Sequence, residues 1–149
     1  MTLFERSECC EVENARNLLV SIASGFIFAL AWWIVIDAAV IYTQESFNGA
    51  YHTPGVFGTL VFIVINLIPQ SALQDEYSDG LIGRKCILIC LLIAFLVAFS
   101  CVIAATWILF GAYVATHAAH VWPGVAVFLQ NLFICTATLL FRFGRKTED

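Results

Sequence analysis

Few residues of this sequence carry charge: Lys, Arg, Asp and Glu make up 12% of its 149 residues, against 61% hydrophobic and a mean hydropathy of +0.90. A soluble domain of this length needs a polar shell that such a composition does not supply. The alternative solvent is lipid, in which a spanning segment must satisfy its own backbone groups. Basic residues number only seven and form no stripe, so nucleic acid is not an expected partner. No Asn-X-Ser/Thr sequon occurs, and no N-glycan is expected. The six cysteines include no CxxC pair and make no disulfide framework. Gly-rich phosphate loops, paired carboxylates and nucleophile–base pairs are missing too, so no enzyme and no cofactor are expected.

What the sequence does have is four long apolar runs: Leu18–Tyr42, Pro54–Leu73, Cys86–Val114 and Val121–Phe141. As helices they measure about 37, 30, 43 and 31 Å, at about 1.5 Å per residue. The hydrocarbon core is about 30 Å thick, so each is long enough to cross, and the third must tilt or project. The runs lack alternation and exceed the length of barrel strands. The expectation is an all-α polytopic membrane protein, a four-transmembrane-helix bundle in one domain. Residues 1–17 form an N-terminal segment and 142–149 a tail. The first run follows an acidic stretch and is too long for a signal h-region, so it reads as an anchor that is retained. Pro54 and Pro123 sit in first turns, where a missing N–H costs nothing. Pro69 should kink or stop the second helix before the polar stretch Gln74–Gly80. Tyr42, Tyr51, Tyr113 and Trp122 fall at run ends, where amphipathic rings favour the headgroup zone.

Orientation follows from Lys and Arg. Arg6 and Arg16 precede the first run, Arg84 and Lys85 lie between the second and third, and Arg142, Arg145 and Lys146 follow the fourth. The two remaining loops contain neither residue type. All seven basic residues therefore share one side of a four-span protein, and the positive-inside rule makes that side, with both termini, cytoplasmic.

Within the first run Asp37 stands out, because an ionisable group in a span is costly and usually faces protein or water. It is either a proton site or partner anchor, or a carboxylate that snorkels to the interface or caps a neighbouring helix. Ser21, Gly25 and Ala29 recur every four residues, and Trp33 and Asp37 continue the series as one face. Such a small-residue seam lets helices approach closely, inside the bundle or with another subunit, and internal packing is the commoner use. Asn66, Gln130 and Asn131 lie within later runs and are expected to bond across helices, fixing their rotation. His52, His117 and His120 lie in loops on the non-cytoplasmic side; exposed loop histidines without a function are the default, and a pH response suits them better than a metal site. Cys86, Cys90, Cys101 and Cys135 act as small hydrophobes, and Cys9 and Cys10 are candidate S-palmitoylation sites or free thiols.

Several stretches carry a resemblance. They are Trp32–Tyr42, Phe47–Phe62, Trp107–Val114, Pro123–Ile134 and Phe143–Asp149. In sequence and spacing they resemble the transmembrane protein 50 family of small four-span proteins. Tyr77-Ser78-Asp79-Gly80 is kept, but the Arg-Gly-Asp-like stretch usual before it is absent, and Pro69 and Gln70 replace small polar residues. The resemblance implies a role in endosomal or late-secretory membrane traffic. Its fungal relative works with a second small four-span protein, related to the leptin-receptor overlapping-transcript family. It implies no catalytic residues. The expected function is a non-catalytic subunit of an endomembrane complex (endoplasmic reticulum, Golgi or endosome) that contacts membrane lipids and other membrane protein subunits. An accessory role in a lipid-transfer or transport assembly is the alternative, and a small ion or proton conductor using Asp37 is the third reading.

Overall fold

The computed structural model describes residues 3–42, 49–68 and 81–144, with side chains from residue 14 onward except those of 81, 82 and 84. Every regular element among these residues is helical. Helix α1 spans Leu3–Ile41, α2 spans Thr53–Leu67, α3 spans Leu81–Ile108 and α4 spans Trp122–Gly144. A 3-10 turn, Gly49–His52, leads into α2, and a π-helical segment, Leu109–Val114, extends α3. The four segments long and apolar enough to cross a membrane are Asn14–Ile41, Gly49–Leu67, Lys85–Val114 and Trp122–Gly144.

Local chemistry explains where the helices begin and end. Helix α1 runs back through the acidic stretch to Leu3, because that segment contains neither Gly nor Pro to break it. Helix α2 stops at Leu67, short of the Leu73 limit read from hydropathy. Ile68 is extended (φ −80°, ψ 112°), as the residue before a proline must be, since a helical conformation there would clash with the Pro69 ring. Fifteen α-helical residues alone cover only about 22 Å. The 3-10 turn adds about 8 Å at about 2 Å per residue, which brings the segment to bilayer thickness. Helix α3 starts five residues ahead of Cys86. Helix α4 continues to Gly144, past Phe141.

The contacts define an up–down bundle. Val35 of α1 packs with Ala105 of α3 and Val127 of α4. Fifteen residues earlier in α1, Val20 lies against Gly144, close enough to touch a Cβ there at 2.7 Å. Helices α1 and α4 are therefore antiparallel, and by the same test α2 and α4 are parallel. Helix α4 is the hub. It packs most extensively on α1 and also contacts α2 and α3. Its buried residues include Val127, Gln130, Asn131, Ile134, Ala137 and Thr138, a helical stripe wide enough to meet three neighbours. A second cluster joins α2 and α3 through Val61, Ile65, Ala94 and Ala98. Alanines dominate the helix contacts (Ala31, Ala38, Ala94, Ala98, Ala105, Ala126, Ala137), as expected where lipid removes the hydrophobic drive and close backbone approach replaces it. Large apolar side chains such as Leu19, Phe26, Val40, Leu92 and Ile103 point outward, the reverse of a soluble bundle.

The bundle has two distinct ends. Tyr42, Tyr51, Tyr113, His120 and Trp122 gather at one, with Tyr51 edge-on to Tyr113 at 5.7 Å and Tyr42 against His120 at 5.2 Å. Arg16, Lys85 and Arg142 lie at the other.

Candidate functional site

The candidate site residues divide between the outer face of α1 and the interior around α4. On the outer face, the small-residue seam takes no part in packing among the described helices. Gly25, Ala29, Trp33 and Asp37 are exposed and Ser21 is half-buried; a Cβ on Gly25 meets nothing within 4 Å. The residues of α1 that pack are instead Ser24, Ala31, Val35 and Ala38, all fully buried. The reason is angular. Each four-residue step advances about 40° around a helix of 3.6 residues per turn, so the series from position 21 to 37 sweeps a broad arc of about 160°, centred on the side turned away from the bundle. Positions 24, 31, 35 and 38 stay within about 60°. Trp33, 72% exposed, lies almost opposite that packed stripe.

Asp37 thus faces away from the interior, inside the Asn14–Ile41 span, and makes no interaction with any described residue. A conducting path within one chain would run through the bundle, not along this surface.

The interior polar groups are held differently from the expectation. Asn131 donates from Nδ2 to the Val127 carbonyl of its own helix at 2.9 Å, and its Oδ1 has no partner. Gln130 is fully buried, and neither amide atom is hydrogen-bonded among the described residues. Its carboxamide fills the space beside Gly55 of α2; a Cβ there would lie 2.6 Å from both Nε2 and Oε1. Gly58, one turn on, admits Ile134 in the same way, at 3.3 Å. Asn66 Oδ1 and Ser24 Oγ are likewise buried without a partner. Among the described residues, Asn66, Gln130 and Asn131 therefore make no hydrogen bond across helices. Two of these amides act by shape, against glycines on α2, because close backbone approach leaves their polar ends no facing donor or acceptor.

Two interhelical hydrogen bonds come from Trp32 and Arg142, residues that the sequence did not mark for that role. Trp32 Nε1 of α1 donates to Thr59 Oγ1 of α2 at 3.1 Å, and that hydroxyl donates to the Gly55 carbonyl at 2.8 Å. Arg142, buried in α4, donates from Nη1 to the Ile68 carbonyl at 3.0 Å. That carbonyl is among those left free where α2 ends, so the guanidinium caps the negative end of its dipole. Tandem tryptophans and a basic residue at a run end were visible as signals, but not their partners.

At the aromatic end, the π segment turns Tyr113 inward against α4. A Cβ on Gly124 would meet its ring at 2.6 Å. The amide of Ala115 bonds the Phe110 carbonyl at 2.8 Å, five residues back. Outside this distortion Ile103, Thr106, Trp107, Phe110 and Gly111 line an open groove of about 440 Å³. His117 takes a left-handed conformation (φ 50°) in the exposed turn that follows. Among the described residues no three His, Cys, Asp or Glu side chains converge. Cys86 and Cys90 are exposed, whereas Cys101 and Cys135 are buried and unbridged. The side chains of Cys9 and Cys10 lie outside the described residues, as do residues 69–80 and 145–149.

Among the described residues this arrangement offers apolar contact surfaces. The whole chain, residues 1–149, matches the family described as "Uncharacterised protein family (UPF0220)". It is 31% identical over 140 residues to "Transmembrane protein 50 homolog" of Dictyostelium discoideum, covering 85% of this chain and 88% of that protein. No solved structure matches. With the family matched along its full length and a relative this similar over most of it, the chain belongs to the transmembrane protein 50 family, UPF0220.

Proposed function

We propose that this small four-helix membrane protein is a non-catalytic subunit of a membrane protein complex, acting in endosomal or late-secretory traffic through contacts made by its helices. The observation that carries the reading is the outer face of α1. There a carboxylate within a span points away from the chain's own interior, beside exposed Ala29 and Trp33 and the open space at Gly25. A charged group on that surface is retained at a cost in lipid, and a partner helix removes the cost. Clustering of Arg16, Lys85 and Arg142 at one end supports an orientation with that end, and both termini, cytoplasmic. Residence in an endomembrane follows the family resemblance.

The test is purification of the native assembly in mild detergent, with mass spectrometry of whatever remains at fixed stoichiometry. A constant membrane-protein companion, depleted by Gly25→Leu, is the expected result. Recovery of the chain alone from several mild detergents would remove the subunit reading.

A second reading, an accessory part of a lipid-handling assembly, is favoured by the groove at Ile103, Thr106, Trp107, Phe110 and Gly111. It opens outward, is almost wholly apolar, and is flanked by Trp107, which is 80% exposed. Its check is whether Trp107→Ala lowers lipid retained after purification while leaving the protein companions in place.

A further inference from the structure

We infer that the face of α1 around Trp33 and Asp37 receives a transmembrane helix of a different protein, one that carries a basic side chain level with Asp37. This rests on the subunit reading above and adds the chemistry of the partner. Ile22, Trp33 and Val40 are all exposed on this side of α1, and no atom lies within 4 Å of a Cβ built on Gly25. The bundle's own helices therefore leave the face open. Asp37 lies on it, four residues before the helix ends at Ile41, with no partner among the described residues.

The described cations of the chain do not serve Asp37. Arg16 lies at the far end of the membrane-spanning part of the same helix, about 31 Å along its axis. Lys85 and Arg142 share that far end. His120 packs on Tyr42, more than a turn beyond Asp37. A second copy is a poor occupant. Two copies inserted in the same direction meet about an axis normal to the membrane, which gives an isologous contact. Asp37 would then stand at the same depth on both sides, and like charges so placed repel where the dielectric is low. A Lys, Arg or protonated His on a foreign helix reverses the sign of that interaction and supplies the donor that the carboxylate lacks. Charge thus selects a heterologous helix over self-association.

The experiment places a photo-reactive benzoylphenylalanine at position 29 of the full chain in native membranes and sequences the linked peptides. It repeats this with Asp37→Asn and Asp37→Lys. Both variants should keep the parent melting temperature in detergent, because Asp37 is exposed and bonds to no described residue. The expected result is a linked peptide from another protein's transmembrane segment containing Lys, Arg or His, with yield lowered about tenfold by Asp37→Lys and less by Asp37→Asn. A linked peptide from this chain itself would overturn the inference in favour of a homodimer. So would a foreign helix without a basic residue, or a yield that ignores Asp37→Lys; either leaves the subunit reading standing. Adducts to lipid alone would overturn both.

Discussion

Replacing Gly55 with alanine places a methyl group where the Gln130 carboxamide now lies. The new Cβ would stand 2.6 Å from Nε2 and Oε1 and 2.7 Å from Cδ. Comfortable separation for such atoms is about 3.5–4.0 Å, so the amide must retreat by roughly 1 Å. Gln130 is flexible in principle, but it is fully buried and α4 is held on three sides. Overpacking of this kind costs about 1–3 kcal/mol. Against it stands the helix preference of Ala over Gly, about 0.8–1 kcal/mol. Gly55→Ala alone should therefore be neutral to destabilising by about 2 kcal/mol. With Gln130→Ala already present the obstacle is gone, and the same change should stabilise by up to about 1 kcal/mol. The coupling between the two sites is then about 1–3 kcal/mol. It is measured by unfolding the four proteins of the cycle in one detergent, with tryptophan fluorescence as the signal. Gly25→Ala serves as the reference, since its Cβ meets nothing. An identical effect of Gly55→Ala in both backgrounds would show that Gln130 does not occupy that space.

Three further outcomes follow from the same contacts. Gly124→Ala should be worse than Gly55→Ala, by about 1 kcal/mol or more in detergent melts, because its Cβ meets the rigid Tyr113 ring, itself locked edge-on to Tyr51. Arg142→Met keeps the buried stem but removes the donor to Ile68; a loss of about 1–3 kcal/mol is expected, with faster amide exchange at the end of α2, and an unchanged protein would refute the capping role. For orientation, single cysteines at positions 118 and 76, on a background free of native thiols, should react with an impermeant reagent from opposite faces of sealed vesicles. Labelling of both from the cytoplasmic face would refute the assigned topology.

Composition and hydropathy were enough to read four spans, since an apolar stretch near bilayer length has one stable arrangement in lipid, a helix closed on its own hydrogen bonds. A break in α2 at Pro69 was legible as well, because the restriction on the residue before a proline acts between neighbours in the chain, whereas its end at Leu67 rather than Leu73 was not. The packed face of α1 was not. Small residues occur on more than one side of it, and periodicity offers both Ser21–Gly25–Ala29 and Ser24–Ala31–Ala38 without saying which meets α4. That choice depends on a stripe staying straight along its neighbour, and tertiary packing selected the second. The same holds for Gln130 and Asn131. Their polarity announced a need for partners, whereas their place against Gly55 and Gly58 follows from the closeness of two backbones 75 and 73 residues apart in the chain. The Trp32–Thr59 and Arg142–Ile68 bonds likewise join residues from different helices. Rules that act along a single helix place each span and its ends; only the meeting of separate helices decides which side of each is spent on the bundle and which, with Asp37, is left facing outward.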